Sequence, residues 1–406
     1  MKKDQAILKR QASKIKFRNK DMDFILNWVM GISQIVGMSA AEVLQVVEPV
    51  RDGNPRDWRQ AFEEHASVCQ SKAHQAENQG FLRPASQEYF AACYSLRAAL
   101  QFSDPTLPDF MEHYQEMEAN FLKGAKLRSL PLREVSFPYE GQELPAYLLE
   151  SKELAAPTLL VIGGGDTGRV DLFYFMGLAA WENGYQVLMV DLPGQGSNPA
   201  RGLTFTVDAG RAISAILDSY QAPSEQLAIM GFSGGGYFTA QAVEKDSRIK
   251  AWIASTPIYD IKAVFERSFK AALTLPKPLL RLGCKVISNF NEAADVNLKK
   301  YAWQFGVTDF SQAVDKVLKE AQTVALEQIK VPSLFLLGSG ESSELSRQAR
   351  EIEQNLQEAQ ISVTVQEFDL ASAADAHCQV NNLRLLHNTV LDWLDKIFKQ
   401  NHEERK

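Results

Sequence analysis

The apolar positions of this chain change their spacing twice along its length. From residue 1 to about residue 128 they recur at helical intervals, as in Phe24 to Met38, Ser71 to Asn78 and Ser86 to Phe102. The first of these predicts an amphipathic helix ending near Gly37. Ser39, with Glu42 three residues on, predicts the capping box of the next helix. Gly80, Pro84 and Pro105 punctuate the remainder, and no strand-like alternation occurs in this region. Near Leu130 the pattern becomes that of a β-hairpin, Val135 to Tyr139 and Leu144 to Leu149 around Glu140-Gly-Gln. Short apolar runs then alternate with helical segments. The runs are Thr158 to Ile162, Gln186 to Val190, Leu227 to Met230 and Ile249 to Ala254. This alternation predicts a parallel sheet built from right-handed crossovers.

The rhythm breaks over 258–330, where amphipathic helices such as Phe310 to Ile329 replace strands. It resumes with Ser333 to Leu337 and Ile361 to Val365, and a helix from Asn382 to Lys399 closes the chain. The expected fold is therefore α/β, with a mostly parallel, doubly wound sheet. Its expected parts are an N-terminal helical cap domain at 1–130, core segments at 131–257 and 331–406, and a helical lid insertion at 258–330.

Composition adds little to that picture, but it excludes several classes. Hydrophobic residues at 45% and charged residues at 23% are ordinary for a globular chain, which excludes bulk disorder. A net charge of −7 gives no reason to expect a nucleic-acid partner. Residues 1–20 carry eight Lys/Arg against one acid, a solvated basic arm with membrane-surface or partner contact as the competing reading. The apolar stretch behind the arm is too short and too polar for stable membrane insertion. Cys69, Cys93, Cys284 and Cys378 lack metal-ligand spacing and fit a reduced, cytoplasmic protein.

The chemistry concentrates after the third core strand. Gly231-Phe-Ser-Gly-Gly is G-x-S-x-G between a strand and a helix, which makes Ser233 the candidate nucleophile. The tight turn exposes the side chain, and the helix N-terminus favours negative charge developing there. Of six histidines, only His377 lies in a loop between the last strand and the last helix, so it is the candidate base. The acid is expected just past Ser333 to Leu337. Glu341 is favoured there, and Glu344 competes with it. Oxyanion donors are expected from Gly234 and from Gly165 or Asp166, in the turn Gly163-Gly-Gly-Asp-Thr-Gly. That turn also matches G-x-G-x-x-G, and Asp191 ends the next strand. A dinucleotide-binding oxidoreductase is thus a rival reading, although it leaves Ser233, Glu341 and His377 unexplained. Tyr237, Tyr259 and Asp260 lie near strand ends as candidate substrate contacts, with packing or capping as the alternative.

With these residues in place the chain resembles the α/β-hydrolase superfamily, in particular the branch of 2,6-dihydroxypseudooxynicotine hydrolase and the FrsA-like esterases. The resemblance runs from the helical part around Trp58 to Phe102, through Asp191-Leu-Pro-Gly-Gln-Gly and Gly231-Phe-Ser-Gly-Gly-Gly-Tyr. It ends at Asp375-Ala-His-Cys-Gln-Val-Asn-Asn. It implies a Ser233–His377–Glu341 triad, an acyl-enzyme, and no metal or organic cofactor. The family usually has Asp where Glu341 stands. The implied substrate is a small molecule, either an ester or a β-diketone-like compound cleaved at a C–C bond. An acyltransferase or cyclase of secondary metabolism on the same triad is the alternative, and a homodimer is left open.

Overall fold

The computed structural model describes residues 10–223, 225–268, 279, 283 and 291–398. Most of the basic arm, Cys284, His402 and part of the 258–330 stretch lie outside the described residues. Two compact units are present. One comprises Met1–Ser13, Arg133–Lys270 and Val314–Lys406, and the other Lys14–Leu132 and Ala271–Ala313. Residues 271–313 of the stretch read as an insertion thus group with the N-terminal helices, and its ends group with the sheet.

The first unit is built on eight strands: β1 (Leu132–Tyr139), β2 (Gln142–Leu149), β3 (Thr158–Ile162), β4 (Gln186–Val190), β5 (Leu227–Phe232), β6 (Ala251–Ser255), β7 (Ser333–Gly338) and β8 (Val363–Phe368). Their order in the sheet is β1-β2-β4-β3-β5-β6-β7-β8. β2 pairs antiparallel with β4, and all pairs from β4 to β8 are parallel. The strands β3, β5, β6 and β7 are buried along their whole length, which is why they read as unbroken apolar runs rather than alternating ones.

Register decides where the loops emerge. Ile162 lies opposite Gly231, Phe232 opposite Ser255, and Ser255 opposite Leu336. Four strands therefore end level, and the segments that follow them leave the sheet side by side. The chain passes from β3 to β4 on one side and returns to β5 on the other, so the switch point of the sheet falls between β3 and β5. Ligands of open α/β sheets bind at that crevice.

The second unit is helical throughout its described residues. The helix Lys20–Val36 is closed by Gly37 at φ 92°, and Ser39 with Glu42 forms the expected capping box. Trp58 is fully buried against Phe62 and Phe102, with its indole N–H on the Ala98 carbonyl at 2.8 Å. The helix Glu292–Phe305 packs Trp303 edge-on to Phe110, with ring centroids 5.5 Å apart. Among the described residues no helix is long and apolar enough to cross a membrane.

Two local expectations were wrong. Pro84 does not break a helix but sits in the first turn of Leu82–Gln101, where the missing N–H has no intrahelical partner to lose. The helix from Phe310 stops at Glu320 rather than running to Ile329. Beyond it the Val324 N–H is taken by the Tyr259 carbonyl at 2.9 Å, an outside partner that replaces the helical ladder.

Trp252 on β6 packs against Phe335 of β7 and donates to Thr239 Oγ1 at 2.9 Å, tying the sheet to the helix Gly235–Lys245. Trp252→Ala should cost about 3–5 kcal/mol of unfolding free energy. Urea denaturation of wild type and variant measures this difference.

Candidate active site

β5 ends at Phe232 and the next helix starts at Gly235, so the chain must reverse within two residues. Ser233 makes that reversal at φ 55°, a left-handed conformation costing a non-glycine residue about 1–2 kcal/mol. Its neighbours hold it there. The Ser233 N–H donates to the Ser255 carbonyl at 2.9 Å, and the Gly236 N–H donates to the Ser233 carbonyl at 2.9 Å. A Cβ on Gly231 would stand 2.3 Å from the Gly235 carbonyl oxygen, so that motif position admits no side chain. The strand behind Ser233 is buried, whereas Ser233 itself is half-buried.

His377 Nε2 lies 2.8 Å from Ser233 Oγ. On the far side of the ring, His377 Nδ1 is 3.3 Å from Glu341 Oε1. The Glu341 side chain is only 1% exposed. Burial opposes charging the imidazole, but the Cys378 sulfur and the Glu341 carboxylate favour it, and the net shift of the His377 pKa is upward. Glu344 is engaged elsewhere. It pairs with Arg347 at 2.6 Å and Arg267 at 2.9 Å, and it accepts from Gln348 at 2.9 Å. Of the two glutamates the sequence offered, the structure brings Glu341 beside the His377 ring and holds Glu344 in ion pairs away from it.

The loops carrying His377 and Glu341 are fastened by the segment Arg10–Ala12. The Arg10 carbonyl accepts the His377 N–H at 2.7 Å, and the Ala12 N–H donates to Asp375 at 2.8 Å. A Cβ on Gly340 would stand 2.6 Å from Gln11 Cα, so the segment runs directly against the residue preceding the acid.

The turn after β3 lies against Ser233, since a Cβ on Gly164 would meet Ser233 Cβ at 2.7 Å. The Gly164 N–H donates to Thr167 Oγ1 at 2.8 Å. The Gly165 nitrogen would be 3.8 Å from a Cβ on Gly234, which places the two expected donors together. Gln195 braces the turn from beneath, donating to the Gly163 carbonyl at 2.6 Å and the Gly164 carbonyl at 3.0 Å. The Asp166 carboxylate pairs with Arg10 at 3.3 Å.

The remaining candidates have structural partners. Tyr237 is buried, with its hydroxyl on the Gln322 carbonyl at 2.6 Å. The Tyr259 hydroxyl donates to Glu351, and Asp260 accepts the Ala263 N–H at 2.9 Å as a helix cap. Asp191, the acid the dinucleotide reading would place on a ribose, is fully buried. It accepts the Arg169 N–H and guanidinium, each at 2.6 Å, while that guanidinium lies 4.8 Å from the centre of the Tyr147 ring. Three residues escaped the reading of the sequence. Gln195 stood inside a motif already singled out, whereas Thr256 and Arg10 gave no sequence signal.

Residues 159–372 match the model of the alpha/beta hydrolase family. The chain is 27% identical over 359 residues to the alpha/beta hydrolase gkaG of Penicillium citrinum, covering 80% of this chain and 82% of that protein. It is 26% identical over 419 residues to the hydrolase LUC6 of a Fusarium species, covering 93% and 96%. Among solved structures, 2,6-dihydroxy-pseudo-oxynicotine hydrolase superposes with a TM-score of 0.67 at 16% identity, over 91% of this chain and 96% of that one. AbyA5 superposes at 0.62 with 15% identity, over 93% and 98%.

The Arg169–Asp191 pair makes a direct stability test. Arg169→Met leaves a buried carboxylate without its cation and should cost about 3–5 kcal/mol. Adding Asp191→Leu should recover much of the loss, as read from urea midpoints of the single and double variants.

Proposed function

The chain belongs to the alpha/beta hydrolase family, and from that membership we propose that it is a serine hydrolase forming an acyl-enzyme on Ser233. The observation that carries this reading is the 2.8 Å contact of Ser233 Oγ with His377 Nε2 at the switch point of the sheet, with Glu341 buried behind the ring. The substrate is a small carbonyl compound, either an ester or a β-diketone-like compound cleaved at a C–C bond.

In the first half-reaction His377 Nε2 takes the Ser233 proton as Oγ adds to the carbonyl carbon. The N–H groups of Gly234 and of Gly165 or Asp166 receive the oxyanion. Collapse expels an alkoxide or an enolate, which takes the proton held by the imidazolium. In the second half, water loses a proton to His377 and attacks the acyl carbon. The acid product leaves, and the proton returns to Ser233. Glu341 stabilises the imidazolium in both halves and holds the tautomer that presents Nε2 as acceptor.

A fluorophosphonate probe tests the nucleophile. Wild type should label and Ser233→Ala should not. Absence of wild-type labelling, or equal labelling of both, would sink the assignment. A screen of p-nitrophenyl esters, lactones and 1,3-diketones then separates ester from C–C cleavage.

The pH dependence follows from the His377 shift. The base works only when neutral, so a raised pKa moves the acid limb of kcat/KM above the usual histidine value of about 6.5. Glu341→Gln removes one cause of the rise. That limb should move to lower pH, and kcat should fall by about 10³–10⁴-fold. Stopped-assay rates across pH measure both effects.

A further inference from the structure

Thr256 follows β6 and sits between the base and the acid. Its Oγ1 lies 2.9 Å and 3.0 Å from the two Glu341 carboxylate oxygens and 3.2 Å from His377 Nδ1. The direct Nδ1–Glu341 separation is longer, at 3.3 Å. That exceeds the 2.7–2.9 Å or so usual for a charge-assisted N–H to carboxylate bond. Hydroxyl and carboxylate thus both lie within reach of Nδ1, and a hydroxyl that accepts the Nδ1 proton turns its own toward the carboxylate.

The backbone at this position is also unusual. Thr256 is fully buried at φ 75°, in the left-handed region, where a β-branched residue is a genuine outlier. Its N–H is held by the Leu336 carbonyl of β7 at 3.2 Å. Such strain, of about 1–3 kcal/mol, persists where the surroundings over-determine it and clusters at functional sites. Glycine or asparagine would meet the conformation more easily, so threonine stands here at a cost in backbone strain.

On the triad reading above, we propose that Thr256 is a positioning residue that carries the hydrogen bond from His377 Nδ1 to Glu341, making the acid arm a two-link chain of hydroxyl and carboxylate. Glu341 thus engages the imidazole through an interposed hydroxyl beside its own 3.3 Å approach. No proton is gained or lost overall. Nδ1–H donates to Oγ1, Oγ1–H donates to the carboxylate, and both bonds strengthen when the ring becomes imidazolium.

The test compares rates of fluorophosphonate labelling and of ester turnover in wild type, Thr256→Val, Thr256→Gly and Thr256→Ser. Val and Gly should lower kcat and the labelling rate by about 10²-fold with KM little changed, and Ser should restore most of the rate. Gly relieves the backbone strain, so it supplies a folded variant without the hydroxyl even where Val is poorly folded. In a Glu341→Gln background, Thr256→Val should lower the rate little further, because both changes cut the same chain. Wild-type rates in Val or Gly, or an undiminished Val effect in the Glu341→Gln background, would overturn the proposal while leaving Ser233 as nucleophile. A wild type that does not label would overturn the triad reading and this inference together.

Discussion

The reversal between β5 and the helix Gly235–Lys245 constrains everything around it. A serine held at φ 55° within a turn this short needs empty space on both sides, and the structure provides it by omitting side chains. Gly231 leaves room for the helix start, and Gly164 leaves room for the turn after β3 to lie against Ser233 Cβ. That close approach brings Gly165 beside Gly234 and Ser233. The same crowding prevents relaxation, so the strain in the turn is carried by the sheet rather than released by local movement. β3, β5, β6 and β7 end within a few residues of one another, so Thr256 and Glu341 emerge beside this turn, and the loop after β8 brings His377 to Ser233.

Polar groups around the site are mutually engaged rather than left to solvent. Asp191 and Arg169 neutralise each other under the turn, Gln195 takes two of its carbonyls, and Arg10 covers Asp166. A buried group of this kind adds little net stability but penalises any alternative arrangement, because losing one partner strands another. The result is a preorganised site, which is what electrostatic stabilisation of an oxyanion requires.

What could be read from the sequence follows from how local each feature is. Ser233 lies in a motif whose strand, turn and helix are contiguous, so five residues sufficed. His377 was found by its place between the last strand and the last helix. The acid was narrower than a motif, because Glu341 and Glu344 differ by three positions. The approach of Glu341 to His377 and the ion pairs of Glu344 with Arg347 and Arg267 distinguish them in space, not in sequence. Thr256 was invisible because its role arises from the lateral alignment of β6 with β7, which no linear pattern encodes. Asp191 matched a ribose-binding spacing, but the match carried no information about the arginine 22 positions away that occupies its carboxylate. The helical stretch ending at Glu320 was over-extended because periodicity cannot reveal a carbonyl on another segment competing for Val324.

The segment Arg10–Ala12 has a bearing on when the site comes into being. Ala12 and Asp375, bonded at 2.8 Å, are 363 positions apart in the chain. At about 5–20 residues per second, a ribosome spends tens of seconds between making the first and making the second. Within that interval the Ser233 turn can fold once β6 has been made, but the loop bearing His377 does not yet exist. The contact of His377 with Ser233 therefore forms late, when the loop before the last helix docks on Arg10–Ala12. A chain interrupted between β8 and residue 377 would hold Ser233 in its turn without the imidazole beside it.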